Sequence, residues 1–169
     1  MARYHNITGE LTQELLAPGD GINISSISLT NVRSTHDAIV DLYIEKKLVG
    51  KFYILKNVVI PAGATLISDI KSFNNKTGEF GLYIKLTKTT TTTLTGTIDP
   101  AASTTVPGSG TAFLSEISIG DELVVSGETR IVTAIASNTS LTVSEAFSDN
   151  SNDASPDINP VAPVDVILS

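Results

Sequence analysis

The chain has 169 residues, no cysteine and no tryptophan, which excludes disulfides, thiolate zinc sites and cysteine nucleophiles and leaves the core to Ile, Leu and Val. Its net charge of −7 is uneven: residues 1–88 hold ten basic and eight acidic residues, a net of +2, whereas residues 89–169 hold Arg130 alone against ten acidic residues, a net of −9. Such a break predicts two parts with different surroundings, the acidic one repelling nucleic acid.

Residues 11–16 fit a helical turn or a strand. Ile22 and Ile24 alternate, and Ile27 and Leu29 continue on the opposite parity, so the shift at Ser25-Ser26 predicts a β-bulge. Ala38, Val40, Leu42 and Ile44 form an inward row, with Asp41, Tyr43 and Glu45 facing the other way. Lys46, Lys47 and Lys51 surround Leu48-Val49-Gly50 at a predicted hairpin end. This basic cluster is either a solvated hairpin or a contact for an acidic protein surface. Phe52 and Ile54 share a face, Pro61-Ala62-Gly63 makes a turn, and Phe80, Leu82, Ile84 and Leu86 form a further row. Short strands with turns between them predict an all-β fold, an antiparallel β-sandwich of jelly-roll type.

The threonine-rich segment 89–93 reads as an extended linker and the polar segment 149–159 as a second one. Between them, residues 94–148 read as a small acidic β module, barrel-like and inserted. Gly120-Asp121 is a turn, residues 122–125 a strand, and Ser126-Gly127 a hairpin turn needing positive φ. Ile131, Thr133 and Ile135 alternate with Arg130, Val132 and Ala134, and Leu141 and Val143 mark another strand. Phe113, Leu114 and Phe147 are expected to close the module, with a helical or irregular turn near 113–117. Val164, Val166 and Leu168 share one face, and a strand so apolar would not be left free. It is expected to pair with the first sheet, giving a base of residues 1–88 plus 160–169.

Chemistry-bearing patterns are sparse, and no catalytic, cofactor-binding or metal-ligating residues are expected. His5 and His36 lie apart without ligand spacing around them. Asp121 and Glu122 are adjacent, so on a strand they point to opposite faces rather than flanking a sugar. Pro107-Gly108-Ser109-Gly110 lacks the Lys and Ser/Thr of a phosphate loop, and no G-x-S-x-G elbow occurs. No stretch is apolar for long enough to span a membrane, and no signal peptide is recognisable.

Two resemblances add to this reading. Gly110 to Phe113, Gly120, Asp121, Gly127 to Arg130, Val132 to Ile135 and Thr139 to Val143 resemble, in order, a module found in structural proteins of tailed bacteriophages. The segments HNITGELTQELL, ISSISLTNV, VDLYI, YILKNVVIPAGATL and VDVIL resemble a small virion-associated sandwich of marine phages, in whose shorter members the closing strand follows the first part directly. These resemblances imply a non-enzymatic virion structural protein on the capsid exterior. They imply a decoration or cement protein binding the major capsid protein, or other virion proteins, as a homo-oligomer, with a trimer expected. Neither nucleic acid nor a membrane is an expected partner, and no cofactor is expected. The rival readings are a tail, collar, baseplate or fibre component, a carbohydrate-binding surface module, and last a hydrolase.

Overall fold

The computed structural model describes residues 2–46, 48–148, 151–152 and 156–169, and of Lys71 and Ser72 the backbone alone. In chain order its first strands are β1 (Arg3–Ile7), β2 (Gln13–Leu16), β3 (Asn23–Asn31), β4 (Ala38–Lys46), β5 (Gly50–Ile60), β6 (Thr65–Asn74) and β7 (Phe80–Thr87). Then come β8 (Thr92–Thr93), β9 (Thr97–Ile98), β10 (Thr105–Ser109) and a single helical turn, α1 (Phe113–Glu116). The last are β11 (Glu122–Val125), β12 (Glu128–Ser137), β13 (Ser140–Val143), β14 (Asp157–Asn159) and β15 (Val164–Leu168). The chain divides into two compact units, Met1–Lys88 with Ala162–Ser169, and Thr89–Val161.

The first unit is an antiparallel β-sandwich with sheets ordered β1-β15-β3-β6 and β2-β7-β4-β5. This is the eight-stranded jelly-roll order, in which successive strands cross between sheets except at the β4–β5 hairpin and the last strand lies beside the first. The segment 164–168 sits between β1 and β3, pairing Arg3↔Leu168 to Ile7↔Val164 on one side and Val164↔Asn31 to Leu168↔Ile27 on the other. Its alternation places Val164, Val166 and Leu168 in the core. There they join Leu16, Ile27, Leu29, Val40, Leu42, Leu82 and Ile84. Each such side chain contributes roughly 1.5–3 kcal/mol on burial. Of residues 11–16, Gln13–Leu16 form β2, a strand paired with β7.

Irregularities fall where sequence and register conflict. The β3–β6 register shifts between Ile24 and Ser26, at the change of parity. On β5, Lys56 and Asn57 together oppose Asp41. Asn57 takes φ 51°, and its N–H donates to the Asp41 carboxylate at 2.7 Å. The fully buried Asn31 is satisfied: its amide donates to the carbonyls of His36 (2.9 Å) and Ile60 (3.0 Å) and accepts the Arg33 N–H (3.0 Å).

The second unit is one antiparallel sheet ordered β8-β14-β11-β12-β13-β10-β9. It wraps one core that includes Val106, Phe113, Leu123, Val132, Leu141, Phe147 and Ile158. β12 reaches both halves of the sheet, and two register shifts against β13 let it bend. Two expectations are corrected here. Leu114 does not close the core: α1 is one turn long, so burying Phe113 leaves Leu114 62% exposed. The segments expected as linkers also contribute strands, β8 and β14, which pair with one another. Their side chains explain this, because Thr91 donates to Asn159 Oδ1 and Thr93 to Asp157 Oδ1, each at 2.7 Å. The Thr89 N–H donates to the Pro160 carbonyl at 3.0 Å, so the ends of the unit run side by side.

Candidate interaction surface

A cluster of aromatic and charged side chains lies on the outer face of the β2-β7-β4-β5 sheet. Its register sets Tyr43 opposite both Tyr53 and Tyr83, and Tyr83 opposite Glu14. A row of three tyrosines therefore crosses three strands, with ring centroids 5.4 Å (Tyr43–Tyr53) and 5.8 Å (Tyr43–Tyr83) apart. The ammonium groups of Lys51 and Lys56 lie 4.5 Å from the ring centroids of Tyr43 and Tyr53 respectively. Lys51 donates to the Tyr43 hydroxyl (3.2 Å), which donates to Thr12 Oγ1 (3.3 Å), and Tyr83 donates to Glu14 (3.1 Å). Gly81 makes room for this row, since a Cβ there would lie 2.9 Å from both the Leu16 carbonyl and the Tyr83 hydroxyl.

The electrostatics of the row suit cohesion. The hydrogen bond to Tyr43 raises the Lys51 pKa above its ordinary value. Burial, then the bond to Glu14, raises that of Tyr83. Lys51 is thereby held more firmly as the cation and Tyr83 more firmly as the neutral phenol. Tyr43 is only 2% exposed and serves as a small second core on the outward face.

The predicted lysine cluster is divided. Lys46 pairs with Gly50 and Glu45 with Lys51, so strand alternation sends Lys46 and Lys51 to opposite faces. Lys46 meets Glu79 at 2.9 Å, while Lys51 lies on Tyr43, 4.0 Å from Glu45. Lys47 lies outside the described residues. What the hairpin tip does present is apolar: Leu48 is 101% exposed, and Val49 and Phe52 are exposed beside it. In the sequence, Leu48 and Val49 stand out only as the spacer between lysines.

The other sheet also has a marked outer face. The register aligns Tyr4↔Ile167, Ile167↔Ser28 and Ser28↔Ile67 across all four of its strands. Tyr4, Ile67 and Ile167 are 74%, 65% and 40% exposed. On one flank runs the polar row Asn6, Asp165, Thr30 and Thr65; on the other, Ser26 faces Asp69. A shallow depression of about 380 Å³ lies over β1 and β15, lined by Tyr4, His5, Asn6, Asp165, Val166 and Ile167.

In the second unit, the residues carrying the module resemblance hold it together. Glu128 and Arg130 share a face of β12, with Arg130 Nη2 2.7 Å from Glu128 Oε2. Arg130 Nε donates to the Ala146 carbonyl at 3.2 Å, and Glu128 accepts both the N–H and the hydroxyl of Ser148. Asp121 is buried and caps its turn, accepting the N–H groups of Ser118 (2.8 Å) and Val161 (3.2 Å). Gly108 is a packing residue, since a Cβ there would lie 2.8 Å from Thr111 Cγ2 and 2.9 Å from Phe113 Cζ. His5 lies on β1 and His36 in the β3–β4 connection. Among the described residues no three His, Cys, Asp or Glu side chains are grouped to hold a metal ion, and no helix is long and apolar enough to cross a membrane.

No protein-family model matches the sequence. No curated protein matches it either. Among solved structures, the chain is similar to a protein from Bacteroides ovatus whose suggested identity is an alpha-L-fucosidase, at 12% identity and a TM-score of 0.28. The match covers 99% of this chain and 38% of that one, and likeness at this level carries no argument about function.

Proposed function

We propose that this chain is a non-enzymatic structural protein of a tailed-phage virion. Its role is that of a capsid decoration or cement protein that binds the major capsid protein as a homo-oligomer, with a trimer the favoured state. The observation that carries the reading is the strand order β1-β15-β3-β6 and β2-β7-β4-β5, a jelly roll of the kind that viral capsid domains use. Two further points support it. The phage-module resemblance falls on residues such as Glu128 and Arg130 that bind their own unit together. The insertion, residues 89–161, carries nine acidic residues against Arg130 alone, a charge that limits association between particles.

Function on this reading is burial of surface between protein neighbours, roughly 1,200–2,000 Å² for a stable contact. Imaging particles that carry the labelled protein is the test. Label over the capsid is the expected result. Label confined to the tail would replace the decoration role by a tail, collar, baseplate or fibre role, and absence from the particle would overturn the virion reading.

A further inference from the structure

On β1 and β15, alternation and register set four outward side chains at the corners of a square. Tyr4 faces Ile167 across the two strands, and Asn6 faces Asp165. They surround the depression of about 380 Å³ over these strands, and the Tyr4 ring beside it is 74% exposed. Several carboxylates of this unit secure local structure: Asp20 pairs with Arg3, and Asp37 and Asp41 accept the N–H groups of Ala62 and Asn57. Asp165 does not. Among the described residues its one partner is the Asn6 amide, at 2.7 Å, across strands that the backbone already joins. The bond fixes two planar groups side by side and leaves one Asp165 oxygen, the Asn6 carbonyl and one Asn6 N–H unspent.

A ligand that fits must cover an exposed ring, donate to a carboxylate and accept from an amide. A pyranose does all three: its C–H face lies on an aromatic ring, and each hydroxyl both donates and accepts. An O–H bond to a carboxylate is of the stronger, charge-assisted kind. An apolar peptide would instead strip water from Asp165 and Asn6 without replacing it. An acidic sugar would bring a like charge to Asp165. The polar row also continues from Asp165 to Thr30 and Thr65, whose hydroxyl oxygens lie 2.9 Å apart. Neighbouring strands are roughly 4.8 Å apart, close to the length of one pyranose in an extended chain.

We infer that this face binds a neutral glycan chain. One sugar stacks on Tyr4 against Ile167, with vicinal hydroxyls on Asp165 and Asn6, and the chain runs on across β3 towards Thr65. The site is independent of where the protein sits on a particle, so the virion reading and this one fail separately.

The test is native gel electrophoresis of the full chain in gels containing mixed-linkage β-glucan, xylan, galactomannan or dextran, with polygalacturonate as the acidic chain. The net charge of −7 carries the protein into such gels, and each variant is scored against its own mobility in a plain gel. At least one neutral chain should retard wild type. Tyr4→Ala and Asp165→Asn should each weaken that binding about tenfold or more while melting as wild type does, because both side chains point away from the core. Asp165→Asn keeps the shape and an acceptor for the Asn6 amide, so its loss reads the unspent oxygen. Tyr4→Phe keeps the ring and should retain binding, as should Tyr53→Ala on the opposite sheet. Wild type that none of the neutral chains retards would overturn the inference. So would Tyr4→Ala or Asp165→Asn protein that binds as wild type does, or polygalacturonate that retards wild type as strongly as the neutral chains.

Discussion

Arg130 lies over Phe147, its guanidinium carbon 5.4 Å from the ring centroid. The same guanidinium reaches Glu128 at 2.7 Å and the Ala146 carbonyl at 3.2 Å. One side chain thereby ties the start of β12 to the segment that delivers Phe147 to the core of the second unit.

Replacing Arg130 by Lys should keep the charge and lose the planar fork. A lysine ammonium cannot stack on Phe147 while reaching two oxygens in different directions. The expected loss is about 1–2 kcal/mol for the second unit, read from chemical denaturation. An unchanged midpoint would remove Arg130 from the clamp.

Gly81→Ala should destabilise the base by about 1–3 kcal/mol through overpacking rather than through backbone strain. The added methyl meets the Leu16 carbonyl and displaces the Tyr83 ring. Tyrosine fluorescence should change along with the melting midpoint, which a purely backbone effect would not produce.

His5 gives the base a dependence on pH. Burial, and secondarily the nearby Arg3, lower its pKa from the ordinary 6.5, and its Nε2 is buried without a hydrogen-bond partner. The unfolded chain therefore binds the proton more readily than the folded one. The stabilisation is fully present above the unfolded pKa and is lost as pH falls from about 7 through the lowered folded value. Denaturant midpoints at about pH 7.5 and pH 5 should differ in wild type, and His5→Gln should reduce the difference.

The base and its insertion should separate cleanly. Because Thr89 bonds to Pro160, residues 90–159 can be replaced by a short Gly/Ser linker. The product should unfold cooperatively by circular dichroism. Deleting residues 164–168 should instead abolish folding, because β15 is an interior strand bonded on both sides.

Much of the base was legible because alternation is a local signal. Val40, Leu42, Leu82, Ile84, Val164 and Val166 declare their buried face within their own strands. The tyrosine row was not legible, because it depends on the register that brings Tyr53 and Tyr83 to Tyr43 from separate strands. Nearness in sequence misled for the lysines: the turn sets Lys46 opposite Gly50, and one further residue carries Lys51 to the other face. For β8 and β14 the signal was present but indirect. Two short polar segments become strands only because Thr91 and Thr93 find Asn159 and Asp157.

The position of β15 also sets an order of events during synthesis. The hydrogen bond from Asn6 to Asp165 joins residues 159 apart in sequence, and among the described residues β1 pairs with β15 alone. The acidic unit is contiguous, so its strands can meet as soon as residue 161 has left the ribosome. The base must wait longer. Through that interval β3 has an unpaired edge and β1 has no partner, and it is β15, made well after both, that joins them.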